Sequence, residues 1–150
     1  MRVPRLIAGA VIAVFAATGG AVTPAQAAAP VRGPKLLVPA VKAVHSGRPT
    51  WVKAYWSTSR DICDAKVTVQ VAATDILYPS NTETYTSFYR GDTLDKGATD
   101  YTAFRVTTTV DHTIVRAIRL TMAYRAESEG GCGGPVLSRD FYATLAVRKG

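Results

Sequence analysis

The chain is short of the residues that do chemistry. Its 150 residues hold two histidines, two cysteines and two methionines. His45 is followed by Ser46, and His112 is preceded by Asp111. Side chains of sequence neighbours on a tight turn are expected to point apart, so neither pair reads as a catalytic dyad. No G-x-S-x-G, no H-E-x-x-H and no phosphate-cradling glycine loop is present. The glycine-rich run at Gly130, Gly131, Gly133 and Gly134 surrounds Cys132, and no helical pattern follows it to make an anion site. Glu127 and Glu129 read as solvated charges at a strand end. The cysteines have no C-x-x-C spacing and no nearby histidine, which argues against zinc and redox work. The expectation is therefore no catalytic residue, no cofactor and no metal, with a hydrolase kept as a remote alternative.

Blocks of like charge are missing too. Lys and Arg number 18 against 11 Asp and Glu, and they are spread along the chain. Without a basic cluster, nucleic acid is not expected as a partner. Beyond the N-terminus no stretch looks like a membrane segment.

The N-terminus carries the one apolar run. Arg2 and Arg5 precede Leu6–Ala17, and Ala25-Gln26-Ala27 follows as an A-x-A cleavage site. This is the layout of a signal peptide over residues 1–27. The run is short and rich in small residues for a membrane span. An uncleaved anchor is the other reading. Cleavage removes two arginines, leaving 16 basic against 11 acidic residues, a net +5. The expected location is extracellular, with no stable membrane insertion after cleavage. A modest basic excess suits attraction to anionic envelope polymers, and it equally suits an ordinary soluble surface.

Residues 28–35 read as a flexible lead-in, and residues 36–150 as one domain with one core. Within them the apolar residues alternate at period two, and no helical stripe occurs. Leu36–Val44 reads as an edge strand interrupted by Pro39. Trp51–Ser57 puts Val52, Ala54 and Trp56 on one face and Trp51, Lys53 and Tyr55 on the other. Thr58–Asp64 reads as a polar loop holding Cys63. Lys66–Thr74 points Val67, Val69, Val71 and Ala73 inward. Short strands follow at Ile76–Tyr78 and Thr84–Tyr89, then longer ones at Tyr101–Val110, Ile114–Ala126 and Val136–Val147. About seven short alternating strands predict an all-β, immunoglobulin-like antiparallel sandwich. A small closed barrel is the second architecture.

Cys63 and Cys132 are two free thiols or one bridge. In an oxidising compartment an even, minimal pair points to a disulfide. The sandwich agrees: the strand after Cys63 and the strand before Cys132 are antiparallel neighbours in such a fold, so the cysteines meet at one end. Trp51 and Trp56 both precede Cys63, so the antibody pattern of a core bridge beside a tryptophan is not matched.

The segment Thr84–Tyr101, TYTSFYRGDTLDKGATDY, mixes aromatics with charge. Leu94 is expected to pack beneath a turn and Gly97 to supply a positive φ. The export signal, YPSNTETYTSF, RGDTLDKGATDYTAFRV and the late GGCGGP together resemble small exported immunoglobulin-like proteins of high-GC Gram-positive bacteria (actinobacteria), a group whose function is not established. The resemblance implies a fold and carries over no functional residue. Arg90-Gly91-Asp92 reads as an exposed turn, with an adhesion triplet as the rival reading. Asp92, Asp95 and Asp100 lack the spacing of a calcium loop. Tyr78, Tyr85, Phe88, Tyr89 and Arg90, with Tyr101, form the candidate binding face. The bland reading is that strands favour aromatics anyway. Two functions remain in view: a secreted, non-catalytic binding module for an envelope polymer, glycan or protein, and a structural or accessory exported domain with no specific ligand.

Overall fold

The computed structural model describes residues 32–150. Every regular element in them is a strand: β1 Pro34–Leu36, β2 Ala40–His45, β3 Thr50–Thr58, β4 Ile62–Val71, β5 Asp75–Leu77, β6 Thr99–Thr107, β7 Ile114–Ala126 and β8 Val136–Arg148. The expected signal peptide, residues 1–27, and residues 28–31 of the lead-in lie outside the described residues. Two four-stranded sheets form, in the orders β1-β3-β6-β5 and β2-β8-β7-β4. Lettered by the immunoglobulin convention, β1, β3, β6 and β5 are strands A, B, E and D, and β4, β7 and β8 are C, F and G. The fold is an immunoglobulin-like β-sandwich. Two separate sheets replace the closed barrel that the strand pattern alone left open.

Alternation decides what the sandwich buries. β3 turns Val52, Ala54 and Trp56 inward, and β6 answers with Thr102, Phe104 and Val106. β7 contributes Ile118, Leu120, Met122 and Tyr124, and β8 contributes Ala143, Leu145 and Val147. Burying each large side chain of this kind stabilises by about 1.5–3 kcal/mol. Trp56 sits fully buried at the centre, edge-on to Phe141 at 4.9 Å between ring centroids. Its indole N–H donates to Thr102 Oγ1 at 3.0 Å, which satisfies both polar groups inside the core.

The expected first strand is two strands. Leu37 N–H donates to Tyr55 in the first sheet, and Pro39 C=O accepts from Thr144 N–H in the second. Pro39 has no N–H to continue a ladder on β3, so the chain changes sheets there. β2 then runs parallel to β8 while the other strand pairs are antiparallel. The lead-in is shorter than expected. Gly33 already exchanges hydrogen bonds with Ser59, and Pro34 and Lys35 belong to β1.

Three further expectations change. Cys63 lies within β4 and is buried, because the ladder with β7 starts at Ile62. Ala73 does not face inward: it turns the chain at φ +47° and is exposed. Thr84–Tyr89 is no strand, because it crosses between the sheets. Thr86 exchanges both backbone hydrogen bonds with Val67 of β4, while Tyr89 N–H donates to Tyr101 of β6. The β4–β7 pairing does bring the cysteines together. Cys63 and Cys132 form a disulfide with Cα atoms 6.1 Å apart. Leu94 is buried, held by two backbone hydrogen bonds to Ile62, and Gly97 has φ +78°.

Candidate aromatic face

The expected face divides. Phe88 is 4% exposed and belongs to the core, so it leaves the candidate site. The parity of the segment explains this: Thr86 and Phe88 point in, and Tyr89 points out. Tyr78 is half-buried, and its hydroxyl receives Val69 N–H at 2.8 Å. That bond ties β4 to the β5 end, which is structural work. Tyr85 is half-buried with Lys66 Nζ 5.1 Å from its ring centroid, on the side of β4. Arg90 is exposed, and its N–H is fixed by Asp100 Oδ2 at 3.1 Å. Tyr89 alone of the five is a widely open ring, 73% exposed.

Tyr89 does have aromatic company, from Tyr101 of the expected face and, through it, from β3. Its ring stacks on Tyr101 of β6 at 5.0 Å and 18°. Tyr101 stands opposite Tyr55 of β3, with centroids 5.7 Å apart. Lys53 Nζ lies 4.0 Å from the Tyr101 centroid, a cation over a ring. Trp51 completes the β3 row, 48% exposed and opposite Arg105. The outward row of one strand, Trp51-Lys53-Tyr55, thus faces the outward row of the next, Arg105-Ala103-Tyr101. The alternation in Trp51–Ser57 groups the first row on one face, and burial of Val52, Ala54 and Trp56 makes that face the solvent side. It did not say what lay beside that row, because cross-strand neighbours are set by register.

The electrostatics of this face lean one way. Lys35, Lys53 and Arg105 point outward from β1, β3 and β6. The acidic strand residue on the face is Asp75, at its end opposite Thr107. Among the described residues no salt bridge reaches Lys53 or Arg105. Arg105 Nε is buried with no hydrogen-bond partner, so its guanidinium is packed but not neutralised.

Two concavities border the face. One of about 220 Å³ lies on the β6 side, walled by Tyr89, Tyr101 and the Pro79–Thr82 turn. Another of about 330 Å³ lies on the β3 side, between Trp51, Lys53, Tyr55 and Val41. A further concavity, about 530 Å³ around Val69–Tyr78, is wide and open, and its one aromatic hydroxyl is already bonded to Val69. It has neither a cation nor an open ring to hold a ligand.

The other sequence candidates sit elsewhere. Asp111 and His112 do not point apart, as expected of neighbours. His112 Nδ1 and Asp111 Oδ1 are 2.5 Å apart on an exposed turn. The hydrogen bond from His112 is the main cause that holds the Asp111 carboxyl below its ordinary range. His45 is exposed on β2. In the Arg90-Gly91-Asp92 turn, Asp92 C=O accepts from Ala65 N–H. Asp100 is 7% exposed and spends its oxygens on the N–H groups of Arg90 and Tyr101. Among the described residues no three His, Cys, Asp or Glu side chains gather as a metal site. No described helix is long and apolar enough to cross a membrane.

Fold and surface define an immunoglobulin-like sandwich with an aromatic, cationic sheet face. No protein-family model matches the chain, and no curated protein matches it. Solved structures are similar in chain course. One is the ASH/PapD-like domain (PapD-like domain 7) of human CEP192, at 6% identity and TM-score 0.45, covering 88% of this chain and 95% of that one. Another is described as "AvmM Catalyzes Macrocyclization in Alchivemycin A Biosynthesis", at 13% identity and TM-score 0.38, covering 78% of this chain and 88% of that one.

Proposed function

We propose that the chain is an exported, non-catalytic binding module that docks a cell-envelope polymer on the outer face of β3 and β6. The observation that carries this is the Tyr55–Tyr101–Tyr89 cluster with Lys53 over its central ring. Three aromatic rings and a cation gathered on a solvent face offer stacking area and charge at one place. A purely structural domain does not need them there. The Cys63–Cys132 bridge suits an oxidising compartment, as does the signal-like residue 1–27 segment. The histidines are exposed, His45 on β2 of the other sheet and His112 on the β6–β7 turn.

Co-sedimentation of the full chain with isolated cell-wall material, at low and high salt, tests the docking. Binding that survives salt and is lost in Tyr89→Ala is the expected result. Binding abolished by salt alone reduces the interaction to net charge. No binding at either salt leaves the structural reading. N-terminal sequencing of protein recovered from the culture medium checks export, with Ala28 expected as the first residue.

A further inference from the structure

We infer that the ligand of this face is an acidic polysaccharide whose carboxylates sit on the sugar rings themselves. The inference rests on the binding-module reading and specifies its ligand. Lys53 and Tyr89 both touch Tyr101, so an unpaired ammonium and an open ring occur within one residue's breadth. A ligand that uses both must carry its anion beside its stacking surface. A ring-borne carboxylate does that. A phosphodiester polymer places its charge in the linkage between units, away from the flat face of any sugar.

The second cation agrees. Arg105 stands diagonally from Lys53 across the β3–β6 pair, since Lys53 faces Ala103 and Arg105 faces Trp51. Diagonal neighbours of this kind are roughly 7–8 Å apart at Cα. Arg105 Nε is buried and unpartnered, so the guanidinium offers its terminal N–H groups, the fork that meets a planar carboxylate. Ala103 keeps the floor between the two cations low; Asp75, opposite Thr107, is the diagonal neighbour of Arg105 on its other side and forms no salt bridge with it. Successive acidic sugars along a chain would meet Lys53 and then Arg105.

The cleft beside Tyr89 gives the chain a place to start. Its volume of about 220 Å³ is below the roughly 300–1,000 Å³ of pockets for drug-sized ligands, so it takes one ring. Tyr89 supplies an aromatic wall. Asn81 is exposed at the rim with an amide that both donates and accepts. Thr82 and Ser87 hydroxyls donate to the backbone of Pro79 and Ala65, which leaves their oxygens to accept from sugar hydroxyls.

Tryptophan fluorescence reads the face directly. The chain has two tryptophans, Trp51 on the face and Trp56 in the core. The full chain is titrated with polygalacturonate, a wall teichoic acid and neutral mannan. The expected result is a saturable change with polygalacturonate that is absent in Trp51→Phe. Lys53→Met and Arg105→Met should each weaken that binding about five- to tenfold, and Arg148→Met, a cation off the face, should not. Thermal melts of every variant show whether it is folded. Saturable binding of teichoic acid or mannan in preference to polygalacturonate overturns the inference and leaves the binding module standing. Binding of polygalacturonate unchanged in folded Lys53→Met and Arg105→Met also overturns it. No response to any polymer, with no wall co-sedimentation, removes both.

Discussion

Phe88 and Tyr89 are neighbours with opposite tasks, and parity separates them. Phe88 is in the core, so Phe88→Ala should cost about 3–5 kcal/mol in a urea unfolding curve. Tyr89 is 73% exposed, so Tyr89→Ala should stay within about 1 kcal/mol while removing the open ring. Trp56→Phe tests the buried polar pair. It leaves the Thr102 hydroxyl without its donor, and the expected loss is about 1–3 kcal/mol. Asp111 offers a titration. Its carboxyl is lowered first by the His112 hydrogen bond, then by its own backbone N–H and by the His112 charge. A depressed carboxylate adds stability above its ordinary range and loses it as pH falls through the folded midpoint. The group is fully exposed, so the effect on stability is small. NMR titration should show a midpoint below that of a free aspartate, moving back up in His112→Ala.

At the scale of elements, the sheet change at Pro39 and the bridge at the β4–β7 end do the organising. The strand pattern marked Pro39 as an interruption, and the structure makes it the crossing between sheets. A sequence shows that proline cannot donate. It does not show that a partner strand waits in the opposite sheet. Thr84–Tyr89 departs from its strand pattern for a related reason. Thr, Tyr and Phe favour strands, but here the segment is shared between Val67 on one sheet and Tyr101 on the other. The disulfide spans 69 residues of sequence, and its removal by Cys63→Ser with Cys132→Ser should cost about 2–4 kcal/mol in equilibrium unfolding. The chain-entropy model puts the figure just above that range, at about 4.4 kcal/mol.

At the scale of the whole molecule, the ladder pairs are distant in sequence. β3 reaches across to β6, β4 to β7, and β2 to the last strand. Closing such loops is slow, so refolding of the disulfide-intact chain from urea should take milliseconds to seconds, as stopped-flow Trp fluorescence would show. The aromatic face exists only at this scale. It draws on β3, on β6 and on the connection before β6, and no local window contains it.

Legible in the residue pattern are the strands from β3 to β8, the grouping of faces in β3 and β7, the buried turn at Leu94 and a bridge as the reading the sandwich favours for the two cysteines. Those follow from period two, from turn chemistry and from the ends that antiparallel neighbours share. Alternation also groups Trp51, Lys53 and Tyr55 on one face of β3. That Phe88 packs inward, that Tyr78 braces Val69, and that Tyr89 stacks on Tyr101 beside Lys53 follow from long-range register and sheet order. Alternation tells a residue which side to face; register and sheet order tell it which distant residue it will face alongside.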